Sequence, residues 1–318
     1  VTLRRRTTLP AVLLTLAAML AALVPAPAQA QEKLPVPFSF LPAAVLAGTQ
    51  VYADPPGAND WTCRPTRKRP RPVVLVHGLV GNKNTNWQTF APLLKNRGYC
   101  VFALTYGVGP AQLPGLDQFG GLTRIERSAA ELKRFVNRVL RSTGAKKVDI
   151  LGHSEGTVVP NYYAKFLGGR TKIRSYVSIA PLWHGTNVAG AASLVNAGTA
   201  FGLTPPVIAL LSPVFGSGPQ LLTGSAFWDK MRRGGTPRVK GIRYTNIVTR
   251  YDQLVMPYTS GVQRGMRNVV LQDVCPQDYS EHFQVVASRN TARLVLRALA
   301  GNRSTAVPCA RVLPYVGP

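Results

Sequence analysis

Six short apolar runs, separated by stretches with helical periodicity, constrain this chain more than any other feature of its sequence. They are Pro72–Val76, Tyr99–Thr105, Val148–Leu151, Ser175–Ile179, Thr245–Thr249 and Val269–Leu271. Most are continuously apolar rather than alternating, as expected of parallel strands buried on both faces of a sheet. Between two of them Leu122, Ile125, Ala129, Leu132, Val136 and Val139 recur at three- and four-residue steps, which predicts an amphipathic helix. Phe283–Leu299 reads as a closing helix. Strand and helix in alternation give an α/β fold, with a mostly parallel central sheet and helices on both faces. With 46% hydrophobic and 16% charged residues the chain can fill such a core.

The segments around this pattern divide the chain. Residues 1–30 read as a signal peptide: Arg4–Arg6, the apolar run Ala11–Val24, then Ala28-Gln29-Ala30 as a cleavage site. That run is shorter than the roughly 20 residues that span a bilayer and closes in Pro25 and Pro27, so a membrane anchor is the weaker reading. Export to the extracellular space is expected, with both the Sec and the Tat routes open, and no transmembrane segment in the mature chain. Residues 31–71, proline-rich and weakly periodic, are expected to form an extended arm over a domain covering 72–318. Within that domain, 187–235 opens with a long apolar stretch spotted with Gly and Pro. It is expected to be an insertion over the carboxyl edge of the sheet, either an apolar cap or lid or a set of ordinary core helices.

Four cysteines, Cys63, Cys100, Cys275 and Cys309, suit an oxidising compartment and allow three disulfide connectivities. The pairing Cys63–Cys100 with Cys275–Cys309 is favoured, since it would pin an N-terminal strand and the C-terminal tail. No C-x-x-C spacing or acidic cluster recommends a metal, and no cofactor is expected. The formal net charge of +25 raises the question of nucleic acid. Apart from Arg64–Arg71 the basic residues are scattered, and no nucleic-acid motif occurs, so that partner is not expected. Attraction to anionic lipid surfaces or emulsions is a secondary consequence of the charge.

The chemistry is carried by Gly152-His153-Ser154-Glu155-Gly156, a G-x-S-x-G pattern. Its context gives it weight: the run Val148–Leu151 precedes it, and a helical stretch from Glu155 to Leu167 follows, bent at Pro160. A strand–turn–helix elbow is what such a nucleophile requires. A serine hydroxyl needs a base. Of the four histidines, His77 suits a structural role in the loop after the first run. His153 lies inside the elbow, with its side chain expected to point away from the hydroxyl, and His184 precedes the insertion. Only His282 follows a plausible acid in the order serine, acid, histidine. The acid chosen is Asp252, just past the penultimate strand, ahead of Asp273, Asp278 and Asp229. Backbone N–H groups of Leu79 and Glu155 are the expected oxyanion donors, with the Glu155 carboxylate turned away.

Val73–Asn82 (VVLVHGLVGN), Asp149–Gly156 (DILGHSEG), Ser178–Thr186 (SIAPLWHGT) and Tyr251–Pro257 (YDQLVMP) together resemble the secreted bacterial lipases of the class 2 group. A fainter likeness is to fungal lipase B-type enzymes, which also join the stretch around Cys100 to a cysteine before the first strand. The resemblance runs from about Arg71 to Leu299. It implies an α/β-hydrolase fold, a Ser154–Asp252–His282 triad, an oxyanion hole at Leu79 and Glu155, and cofactor-free hydrolysis of triacylglycerols and simpler esters. Relatives often carry Met or Gln where this chain has Glu155, which implies a more polar entrance. A monomer acting on lipid or ester at an oil–water interface is expected. A polyester-cleaving enzyme or an acyltransferase would share the same residues, and an inactive surface-binding hydrolase fold is the remote alternative.

Overall fold

In a computed structural model the described residues are 32–50, 52–109, 117–187 and 216–318, with Thr2 and Ala189. The expected signal peptide and most of the expected cap therefore lie outside the described residues. The chain divides into two compact units, Val1–Lys33 and Leu34–Pro318, and the second holds every element below.

The six apolar runs form six parallel strands: β1 (Val73–Val76), β2 (Val101–Leu104), β3 (Val148–His153), β4 (Ile173–Ile179), β5 (Arg243–Val248) and β6 (Arg267–Val270). Their order across the sheet is β2-β1-β3-β4-β5-β6, the expected α/β architecture. Among the described residues the α-helices include α1 (Phe40–Gly48), α2 (Lys83–Asn86), α3 (Phe90–Asn96), α4 (Ile125–Thr143), α5 (Val159–Phe166), α6 (Gly218–Leu221), α7 (Ala226–Met231), α8 (Leu271–Val274) and α9 (Arg289–Ala300).

Every residue of β1, β2 and β3 is buried, which accounts for their unbroken hydrophobicity. Successive side chains serve opposite layers. Val74 and Val76 join one core with α4, α5 and α7, while Val73 and Leu75 join the other with α1, α3 and α9. The predicted stripe of α4 is buried from Ile125 through Val139, and Gly144 in the left-handed conformation ends the helix.

Three local expectations differ from what is observed. The segment 31–71 is not extended throughout, because α1 lies within it. Phe40, Ala44 and Ala47, at i, i+4 and i+7, bury one face, and Pro42 falls in the first turn, where its missing N–H costs nothing. The closing helix is shorter than Phe283–Leu299. The Ser288 side chain accepts from the N–H groups of Asn290 and Thr291 and starts α9 afresh after a 3₁₀ turn at Gln284–Val286. Pro160 bends nothing: Ser154–Thr157 is a 3₁₀ turn, and Pro160 sits at the start of α5. The described end of the 187–235 segment packs into the core through Leu221, Phe227, Trp228 and Met231. Both disulfides, Cys63–Cys100 and Cys275–Cys309, pair as expected.

Candidate active site

β3 runs straight into Ser154, whose φ of 54° lies in the left-handed region. A non-glycine residue there carries about 1–2 kcal/mol of strain, held in place by its surroundings. The turn is tight enough to exclude side chains on both sides. A Cβ at Gly152 would stand 2.2 Å from Gly156 O, and one at Gly156 would stand 2.1 Å from Val76 O and 2.3 Å from His77 O. The two glycines of the motif are thus packing requirements, and they leave Ser154 partly accessible at the carboxyl edge of the sheet.

His282 and Asp252 meet at that edge. His282 Nδ1 lies 2.9 Å from both carboxylate oxygens of Asp252, and both side chains are buried. The carboxylate is itself fixed, since Asp252 Oδ1 accepts from the N–H groups of Leu254 and Val255. The rival acids are engaged elsewhere or remote. Asp273 pairs with Arg250, and buried Asp278 accepts from Ser280, Ser288 and Asn290. Asp229 is exposed on α7. His184 is approached by the Arg232 guanidinium and does not face Ser154's cavity. The loop that carries His282 is tied down by its neighbour: the Glu281 carboxylate accepts from the N–H groups of Phe283, Gln284 and Tyr315, the last from the C-terminal tail.

The loop after β1 is equally constrained. Val80 has φ of 63°, an outlier for a β-branched residue, and is held by reciprocal bonds, Val80 N–H to Gly120 O and Gly120 N–H to Gly81 O. The Leu79 N–H donates to no described acceptor, and the Glu155 N–H is one of the unpaired donors that open the helical segment after Ser154. His77 shapes this loop. It is fully buried, stacked on Tyr106, donates from Nδ1 to Gly78 O and accepts the Tyr106 N–H at Nε2. Burial lowers its pKa to about 4, so it is neutral.

Ser154, His282 and Leu79 line a single cavity of about 320 Å³. Its apolar wall comes from Phe119, Leu254, Phe283 and, on α1, Phe40, Ala44 and Val45. Among the described residues no group of three or more His, Cys, Asp or Glu side chains could hold a metal ion.

A family model described as lipase (class 2) matches residues 70–295. The chain belongs to the class 2 lipases. It is 30% identical over 184 residues to a triacylglycerol lipase of Burkholderia plantarii, which covers 56% of this chain and 47% of that protein. It is 32% identical over 149 residues to the gastric triacylglycerol lipase of Bos taurus, covering 42% and 36%. The matched stretches therefore span less than half the length of these curated relatives. Among solved structures, Aspergillus fumigatus lipase B superposes with a TM-score of 0.60 at 20% identity, over 92% of this chain and 68% of that one. The mature Bacillus licheniformis lipase BlEst2 gives 0.53 at 15% identity, over 74% and 94%. Both likenesses show the α/β-hydrolase fold.

This family member departs from the sequence reading at Glu155. The side chain does not make the entrance polar: it is fully buried and absent from the cavity wall. Burial raises its pKa well above the usual carboxylate range, and no cation stands beside it. Two further residues, His153 and Asn86, line the same cavity. His153 Nε2 lies 3.0 Å from the His282 carbonyl oxygen and its Nδ1 3.0 Å from Asn86 Oδ1, and Asn86 Oδ1 accepts the Gly78 N–H. Asn86 thus stands between the loop after β1 and the elbow. Its separation of 67 residues from His153 leaves no local signal that could have found it.

Proposed function

We propose that the protein is an exported serine carboxylic-ester hydrolase, a triacylglycerol lipase or carboxylesterase, in which Ser154, His282 and Asp252 act as a triad. The observation that carries this reading is the contact of His282 Nδ1 with both oxygens of a backbone-anchored Asp252, in the cavity that also holds Ser154. Asp252 fixes the tautomer with the proton on Nδ1, leaving Nε2 free to take the Ser154 proton. Ser154 Oγ then attacks the ester carbonyl, and the oxyanion is received by the Leu79 and Glu155 N–H groups. The imidazolium, stabilised by Asp252, returns the proton to the departing alcohol and leaves an acyl-enzyme. Water, activated by His282, releases the acid by the same steps in reverse.

The apolar wall suits an acyl chain. Val45 and Leu46, 56% and 73% exposed on α1, extend apolar surface outward from the cavity, which supports action at a lipid–water interface. Two disulfides in the described domain support export.

The test is hydrolysis of nitrophenyl esters from short to long acyl chains and of emulsified triacylglycerol, with wild type and Ser154→Ala compared. Wild-type cleavage of long chains and emulsion, lost by about 10⁴-fold or more in the variant, is the expected result. Cleavage of short soluble esters alone would make the protein an esterase. No cleavage of any ester would overturn the reading.

A further inference from the structure

The edge of the sheet opposite Ser154, where the parallel strands begin, carries a second cavity, of about 360 Å³. Four arginines line it: Arg238, Arg243, Arg267 and Arg303. Arg243 opens β5 and Arg267 opens β6, and since Arg267 lies across from Thr245, two residues after Arg243, both side chains leave the same face of the sheet. Both are half-buried, while Arg238 and Arg303 are exposed at the rim.

Little offsets this charge. Among the described residues none of the four guanidinium groups is in an ion pair. Asp149, the carboxylate whose field reaches Arg243, gives both oxygens to Arg71. The carbonyl end of α9, which closes at Gly301 against Arg243, supplies about half a negative charge. Burial, and next the charge of Arg174, lowers the Arg243 pKa, while burial and Arg303 do the same at Arg267. Arg243 donates to Ser175 Oγ through Nη2, but its Nε is buried and has no hydrogen-bond partner. Like charges held together and half-buried are costly, and an anion in the cavity would relieve that cost.

We propose that this cavity binds a small soluble anion bearing a phosphate group, inorganic phosphate or a phosphate monoester. Guanidinium groups match phosphate oxygens in pairs. Arg243 gives Nη2 to Ser175 Oγ and Arg267 gives Nη2 to the Arg303 carbonyl. The remaining N–H groups of these two, with two more guanidinium groups at the rim, provide donors for several oxygens. The same chemistry could receive a lipid headgroup. The cavity's position argues for the soluble source, because a bilayer gripped at this edge would face away from the cavity that holds Ser154.

The experiment uses the whole chain and does not depend on ester hydrolysis. Unfolding temperature is measured with inorganic phosphate against chloride at equal ionic strength, for wild type and the rim variant Arg238→Gln/Arg303→Gln. Wild type is expected to gain about 2 °C in phosphate at ten times its Kd. The variant should lose most of that gain, and without phosphate it should be at least as stable as wild type, since thinning like charges removes repulsion. Equal gains in both proteins would be a general salting effect and would overturn the site. Lower stability of the variant without phosphate would make the arginines structural, with the same consequence. Flotation with phosphatidylglycerol vesicles that depends on the two arginines, without a phosphate response, would overturn the soluble ligand in favour of a headgroup.

Discussion

The carboxyl group of Glu155 lies 3.3 Å from the phenol oxygen of Tyr106, and both side chains are sealed from water. The Tyr106 hydroxyl donates its proton to the His77 carbonyl at 2.8 Å, so a protonated Glu155 completes the chain by donating to the phenol oxygen. A neutral carboxyl also suits the proposed oxyanion site at its own backbone N–H, since it sets no negative charge against it.

This arrangement has a pH signature. The folded protein keeps the Glu155 proton at pH values where the unfolded chain, titrating near 4.5, has lost it. Stability from this group is therefore complete below that value and declines as pH rises. Glu155→Gln removes the titration, so thermal melts from about pH 5 to 8 should diverge in the variant's favour, by up to about 1.4 kcal/mol per pH unit. A gap that stays constant across that range would mean that Glu155 is ionised in the fold.

The elbow glycines predict a purely steric outcome. Gly156→Ala places a methyl group 2.1 Å from the Val76 carbonyl and must push β1 and the elbow apart. A loss of about 3 kcal/mol or more is expected in chemical denaturation, with soluble yield falling alongside. Near-wild-type stability would show that the elbow can open to make room.

Gly48, at the end of α1, gives a test of substrate length. It lines the cavity of Ser154, and a Cβ there meets nothing within 4 Å, so a larger side chain has space to enter. Gly48→Leu should exclude at least two methylenes of a long acyl chain, worth about 0.8 kcal/mol each. The ratio of kcat/KM for dodecanoyl over acetyl nitrophenyl ester should drop about tenfold, with the acetyl value unchanged. A uniform drop for both would assign α1 a structural part only.

The Cys63–Cys100 disulfide closes a loop of 37 residues that includes β1 and the strained segment after it. Replacing both cysteines by serine should cost about 3–4 kcal/mol on loop entropy. Melting curves of the double variant, read beside ester hydrolysis at 25 °C, separate stability from geometry: the first should fall, the second should hold.

Sequence spacing revealed the strands and the elbow because both are local. A buried parallel strand declares itself in four apolar residues, and two glycines around a serine after such a strand leave few alternatives. The meeting of Asp252 with His282 has a topological root, since Asp252 follows the penultimate strand and His282 follows the last. Other features depend on partners far along the chain. Glu155 reads as a polar neighbour of Ser154 until Tyr106, 49 residues away, closes over it. The helix α1 gives a weak signal, since Phe40, Ala44 and Ala47 form a stripe too short and too small to separate from a proline-rich arm. The arginine cavity is assembled by strand register, so its members look scattered when read in order.

The hydrogen bond from Tyr315 N–H to Glu281 has a practical side. It places the anchor of the His282 loop three residues from Pro318, so a purification handle or display fusion joined beyond Pro318 would bear on the loop that carries His282. Ester hydrolysis compared with and without such an appendage measures that coupling.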